Sequence, residues 1–202
     1  MQAQQFHTKM ATGIFKPIYP VIARSILQKS QVRKGLCIDV GGGSGVLAWE
    51  LAQQSQLEVT VVDCNHESVA LAKKYFRENN TGFRLKAICA SAENLPLRSN
   101  SVDLAVSRGS VFFWSDKIKG MNEIYRVLRP GGFAYIGGGM GTTKLKREIT
   151  KTQSPDSKWI SDNKKRFKKN LPLHLKLMMR QTEIPYWTME SSDEGTWILF
   201  RK

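Results

Sequence analysis

What the sequence lacks narrows the field first. No apolar run approaches the ~18 residues needed to cross a bilayer. The opening MQAQQFHTKMATGIFKPIYP has neither the continuous apolar core nor the small-residue cleavage site of a secretory leader. The expectation is a cytoplasmic protein with no membrane span. Cysteine occurs only as Cys37, Cys64 and Cys89, with no C-x-x-C pair, so neither a disulfide framework nor a structural zinc site is expected. Cys37 and Cys89 lie in apolar, strand-like runs and are expected to be buried as small hydrophobes, while Cys64 follows a strand end and is expected to be partly exposed. The histidines are His7, His66 and His174, with no carboxylate cluster to make a metal centre, and only His7 is a candidate base. Acidic residues are few, 17 against 31 Lys and Arg, giving a net charge of +14. The excess peaks between Lys144 and Arg180, where twelve basic residues face only Glu148, Asp156 and Asp162. That stretch reads as a solvated face or irregular insertion, or as a surface for nucleic acid or another anionic partner.

What is present is a rhythm. Strand-length apolar runs, GLCIDV, EVTVVD, FRLKAICA, VDLAVSRG and GGFAYIGGG, alternate with helix-patterned VLAWELAQQS, ESVALAKKYFRENN and IKGMNEIYRVLR. Such alternation implies parallel strands with helices on both faces, and nearly unbroken apolar runs suit strands covered on both sides. Before it, Pro17 and Pro20 are expected to break any helix at KPIYP. After it, residues 142–170 show no clear period, PLHLKLMMRQTEI reads as an amphipathic helix, and PYWTMES and TWILFRK read as a hairpin turning at SDEG. The expected fold is α/β: a Rossmann-like, doubly wound, mostly parallel seven-stranded sheet with a C-terminal antiparallel hairpin. A chain of 202 residues suits a single domain with a full core. Its expected parts are a helical lid (1–34), a cofactor-binding core (35–141), a basic insertion (142–170) and a C-terminal helix and hairpin (171–202).

The first strand runs into CIDVGGGSGVLAWELA, with four glycines in five positions. The pattern Asp39-x-Gly41-x-Gly43-x-Gly45 places its last glycine one residue early for a dinucleotide turn, where Val46 stands instead. No Gly-Lys-Ser/Thr follows, so neither the dinucleotide nor the P-loop template fits well. The second strand ends at Asp63, 24 residues after Asp39, close to the spacing at which a carboxylate grips a ribose diol. These features point to a nucleoside-bearing ligand.

DVGGGSG, Asp63, SAENLPLRSNSVDLAVSR and YRVLRPGG together resemble the motifs of class I S-adenosylmethionine-dependent methyltransferases. The similarity is strongest to the small-molecule group that includes the ubiquinone/menaquinone-type enzymes, and it covers roughly Gly35 to Gly139. The resemblance implies S-adenosylmethionine as cofactor and S-adenosylhomocysteine as product. It implies that Asp39 faces the methionine end, that Gly41, Gly43 and Gly45 let the backbone approach, and that Asp63 holds the ribose. Ala92 would offer its N–H to the adenine. Cys64, Glu93 and Ser107 are further candidates on the cofactor side, Glu93 with a plain surface role as the alternative. Ser91 stands where the family often has Asp, which implies a weaker acceptor for the adenine amine.

An acceptor site is expected beyond the fourth strand, with Tyr19, Arg108, Ser110, Phe112, Phe113 and Trp114 as candidate lining. Arg108 ends a buried strand, where a cation needs a partner. It is expected to bind an acidic group of acceptor or cofactor, or to pair internally with Asp39 or Glu123. SRGS replaces the N/D-P-P-Y/F motif of amino-methyltransferases acting on DNA or glutamine, and no Pro-Cys pair of RNA cytosine methyltransferases occurs. Three functions remain open at this point: methyl transfer to a small, acidic or planar molecule; methyl transfer to RNA or another anionic macromolecule; and a non-catalytic cofactor-binding module.

Overall fold

Seven strands form one sheet in the order β3-β2-β1-β4-β5-β7-β6. The computed structural model describes residues 13–79, 84–152 and 171–202. In chain order the elements are α1 (Ile18–Ser30), β1 (Lys34–Val40), α2 (Val46–Gln53), β2 (Gln56–Asp63), α3 (His66–Glu78), β3 (Leu85–Cys89), β4 (Val102–Arg108), a 3-10 turn (Val111–Phe113), α4 (Lys117–Val127), β5 (Leu128–Gly139), α5 (Thr143–Thr152), α6 (Leu171–Met179), β6 (Thr188–Ser192) and β7 (Gly195–Arg201). Strands β1 to β5 pair in parallel, and β7 runs antiparallel to both β5 and β6. The expected parallel sheet with a C-terminal hairpin is therefore present.

Side-chain alternation divides the core in two. Cys37, Val59, Val61, Leu104, Val106, Phe133 and Tyr135 point to one face, against Ile22, Ile26, Leu47, Leu51 and Ala72 of α1, α2 and α3. Ile38, Val62, Ala105, Ala134, Ile136 and Ile198 point to the other, against Met121 and Ile124 of α4 and Leu175 and Met179 of α6. Both faces are covered, which is why the strand runs are apolar almost throughout. From β1 the chain winds outward through β2 and β3, then returns to β4 on β1's other side. The crevice at the carboxyl ends of β1 and β4 is thus the switch point, where open α/β sheets hold ligands.

Three expectations need correction. Pro20 does not break the helix: α1 starts at Ile18 with Pro17 as its N-cap, so Pro20 sits in the first turn, where backbone N–H groups have no intrahelical acceptor to lose. Residues 143–152 are helical rather than irregular. Leu145 and Ile149, four apart, make a short apolar stripe among the lysines, Ile149 is buried, and the Thr142 hydroxyl caps the helix by accepting from the Leu145 N–H at 3.1 Å. The rest of the expected insertion, 153–170, lies outside the described residues, as does His7. Cys89 is exposed along with Cys64; only Cys37 is buried, because the sheet's edge strand β3 ends at Cys89.

Gly45 sets the sharp entry into α2. Its φ is +78°, and a Cβ there would lie 2.5 Å from the Phe76 ring of α3. Gly45→Ala is expected to lower stability by about 2 kcal/mol or more, from strain plus overpacking; thermal unfolding of the variant checks this.

Candidate functional site

The glycine loop between β1 and α2 is held from both sides. On the β2 side, the Asp63 carboxylate accepts from the Gly43 N–H at 2.9 Å (Oδ2) and from the Asn65 N–H at 2.9 Å (Oδ1). Each oxygen retains a further lone pair, so the group is oriented and still able to accept. Asn65 caps α3 by accepting from the Ser68 N–H, and His66 is its exposed first residue. On the β4 side, Ser110 donates to the Val40 carbonyl at 2.7 Å, contacts the Ser107 hydroxyl at 2.7 Å and accepts from Trp114 Nε1 at 3.1 Å. A Cβ at Gly41, whose φ is +67°, would collide with the Ser110 side chain. Ser110 and Ser107 thus brace the loop.

Asp39 sits at the centre. It is 1% exposed, and its Oδ2 is buried with no hydrogen-bond partner among the described residues. Burial, with the Asp63 charge adding to it, raises its pKa to about 7, against the pull of Arg108 and of the Ala48 N–H in the first turn of α2. An orphaned carboxylate oxygen at a ligand crevice calls for a cationic donor. On the same face, Arg108 is held by neutral groups: Nη1 donates to the Tyr19 hydroxyl at 3.2 Å, Nη2 and Nε donate to the Gly139 carbonyl at 3.2 and 3.4 Å, and the guanidinium lies 5.2 Å from the centre of the Tyr19 ring. The expected internal ion pair is not made. Glu123 instead pairs with Arg126 and accepts from the Leu95 N–H, and Asp39 lies beyond ion-pair distance. Tyr19 is 6% exposed. Burial, with a smaller push from Asp39 and against Arg108, raises its pKa and keeps the hydroxyl protonated.

After β3, the Ser91 hydroxyl donates to Glu93, and the other Glu93 oxygen accepts from the Asp116 N–H at 3.1 Å. Glu93 therefore ties this loop to the start of α4. Ala92 is buried beside it. Val111 and Trp114 belong to the core, Trp114 against Gly120, while Phe112 is half-buried and Phe113 is 60% exposed. The crevice thus gathers Asp39, Gly41, Gly43, Gly45, Asp63, Cys64, Arg108 and Tyr19, with Ser91, Ala92 and Glu93 beyond the neighbouring β3. The Gly139 carbonyl that orients Arg108 is not foreseeable from residue types, since a backbone acceptor has no residue signature.

Residues 38–136 match the methyltransferase-domain family. A candidate S-adenosyl-L-methionine-dependent methyltransferase of Methanococcus maripaludis is 33% identical in sequence and superposes with a TM-score of 0.92, over 99% of this chain and 91% of that one. This chain belongs to the S-adenosylmethionine-dependent methyltransferases. Among curated methyltransferases, the Rickettsia bellii (strain OSU 85-389) ubiquinone/menaquinone biosynthesis C-methyltransferase UbiE is 37% identical over 100 residues, 47% of this chain and 40% of that protein. The chloroplastic 2-methyl-6-phytyl-1,4-hydroquinone methyltransferase of Spinacia oleracea is 35% identical over 107 residues, 52% of this chain and 29% of that one. This methyltransferase chain spans less than half the length of either. Among the described residues no helix is long and apolar enough to cross a membrane.

Proposed function

We propose that this methyltransferase moves a methyl group from S-adenosylmethionine to a small-molecule acceptor. The observation that carries the reading is the buried, unpartnered Asp39 oxygen beside a glycine loop fixed by Asp63, at the switch point of the sheet. These residues fit the cofactor: Asp39 takes its ammonium, Asp63 accepts from its ribose hydroxyls, and the Ala92 N–H with the Ser91 hydroxyl meets its adenine. When bound, the cofactor supplies a methyl on a sulfonium centre, open to in-line displacement with a neutral thioether leaving. The chain's task is then to orient and to exclude water, not to supply a nucleophile.

Tyr19 of α1 meets Arg108 at the end of β4, which supports reading the N-terminal helical region as a lid. Phe112 and Phe113 offer an apolar wall for a planar acceptor. The quinone-type relatives support an acceptor of that class. Incubation with labelled S-adenosylmethionine and a panel of hydroquinones and phenolic acids tests the reading; label entering an organic product supports it. Cofactor binding without turnover on any small or anionic macromolecular acceptor favours a binding module.

The basic excess supports a second reading, with RNA as acceptor. Lys144, Arg147 and Lys151 are exposed on α5, which follows β5 directly. RNA binding at low salt that weakens about 100-fold or more between 50 and 200 mM salt is expected under this reading. No binding at low salt removes it.

A further inference from the structure

Helix α6 is apolar on two opposite sides. Leu175 and Met179 face inward, 3% and 1% exposed, in the core cluster that also holds Met121 and Ile124 of α4. Leu173 and Leu177 point the other way, 54% and 46% exposed. Positions 173, 176, 177 and 180 fall within one arc of about 100° around a helix. Lys176 and Arg180, both exposed, therefore share the outer side with the two leucines. Arg180 stays in the helical turn, its N–H donating to the Lys176 carbonyl at 3.2 Å. A surface helix needs one apolar face, and the core of the protein already covers that one. The second calls for a partner.

Charge says which partner. No acidic residue occurs from Asn163 to Thr182. That stretch holds five Lys and Arg in KKRFKK, ahead of α6 in the sequence, then Lys176 and Arg180. The next acid, Glu183, lies past the end of α6. Helix α4, which packs beside α6, adds the exposed Lys119. A second copy of a chain with net charge +14 would be repelled from such a face. RNA satisfies the cations, but leucine offers a base neither a ring to stack on nor a donor. An anionic bilayer surface takes both parts: phosphates meet the cations, and the acyl boundary below them takes the leucines.

We propose that the outer side of α6 is a docking face for an anionic lipid bilayer. Leu173 and Leu177 enter the boundary between headgroups and acyl chains, and Lys176 and Arg180 meet the headgroup phosphates. The attachment is peripheral, with α6 lying along the surface. Helix α6 covers a face of the sheet, whereas the crevice lies at the sheet's carboxyl edge, so docking leaves the crevice open. The face does not depend on the methyl-transfer reading above.

The test is co-sedimentation of the full chain with phosphatidylcholine vesicles, with and without about 40% phosphatidylglycerol. The wild type is expected to bind the anionic vesicles, less so with rising salt, and to ignore the neutral ones. L173N/L177N, folded by circular dichroism, is expected to bind anionic vesicles about 10-fold more weakly or worse. L173F/L177F, which keeps the apolar bulk, is expected to bind at least as tightly as the wild type. K176E/R180E is expected to lose about 30-fold or more. Gel-shift with RNA supplies the contrast: L173N/L177N is expected to leave any RNA binding unchanged. Wild type that fails to bind anionic vesicles overturns the proposal. So does L173N/L177N that binds them as the wild type does, which leaves only a general attraction of basic protein to anions. Wild type that sediments as a dimer, with L173N/L177N monomeric, makes the face a contact between copies and also overturns it.

Discussion

Asp63→Ala is expected to weaken S-adenosylhomocysteine binding by about 100-fold or more, measured by calorimetry on protein shown by circular dichroism to be folded. Two effects add. The ribose loses an ionised acceptor, and each hydrogen bond to a charged group contributes about 1.5–3 kcal/mol. The loop also loses its clamp, because Asp63 is what holds the Gly43 N–H and orients the start of α3 through Asn65. Asp63→Asn keeps one acceptor oxygen and is expected to lose less. Binding of 5′-methylthioadenosine is expected to fall in parallel, since it carries the same ribose.

The second large effect is a pH dependence carried by Asp39, whose carboxyl has a pKa of about 7 in the free protein because it is buried near Asp63. An ammonium favours the ionised form, so binding expels the proton wherever the free protein holds one. Affinity for S-adenosylhomocysteine is expected to climb by up to about tenfold per pH unit below 7 and to level off above it. Titration at pH 6 in buffers of different ionisation enthalpy is expected to report release of most of one proton, and at pH 8 very little. Asp39→Asn is expected to bind weakly with a nearly flat profile. Stability runs the other way. The folded pKa lies above the unfolded one, so the free wild-type chain loses stability as pH rises through 4 to 7, and Asp39→Asn does not. The variant is expected to melt higher than wild type at pH 7 and to gain nothing at pH 4. An advantage that shrinks toward pH 7 contradicts this account of Asp39.

Much of this was legible in the sequence, for identifiable reasons. The strands could be found because both faces of the sheet are covered, which leaves runs such as EVTVVD apolar almost throughout. The loop could be found because the positive φ and close packing at Gly41 and Gly45 demand glycine, and Asp63 because it ends the strand beside that loop. Other features depend on contacts between distant segments. The 143–152 helix rests on two apolar residues, Leu145 and Ile149, whose partners belong to other elements, and the surrounding lysines hide that stripe. Cys89 looked buried because its run is apolar, but exposure there depends on β3 being the sheet's edge. Arg108 was conspicuous as a cation ending a buried strand. Its partners, a backbone carbonyl 31 residues later and a tyrosine hydroxyl 89 residues earlier, could be read only from the fold.

The central claim is that the crevice above β1, β2 and β4 is a cradle for S-adenosylmethionine built on Asp39 and Asp63. It is tested most directly by calorimetric titration of the full chain with S-adenosylhomocysteine at pH 8, for wild type and Asp63→Ala side by side. Saturable binding to one site in the wild type, weakened about 100-fold or more in the variant, is the predicted result. No saturable binding to the folded wild type at millimolar ligand, or equal affinity in the two proteins, would contradict the account.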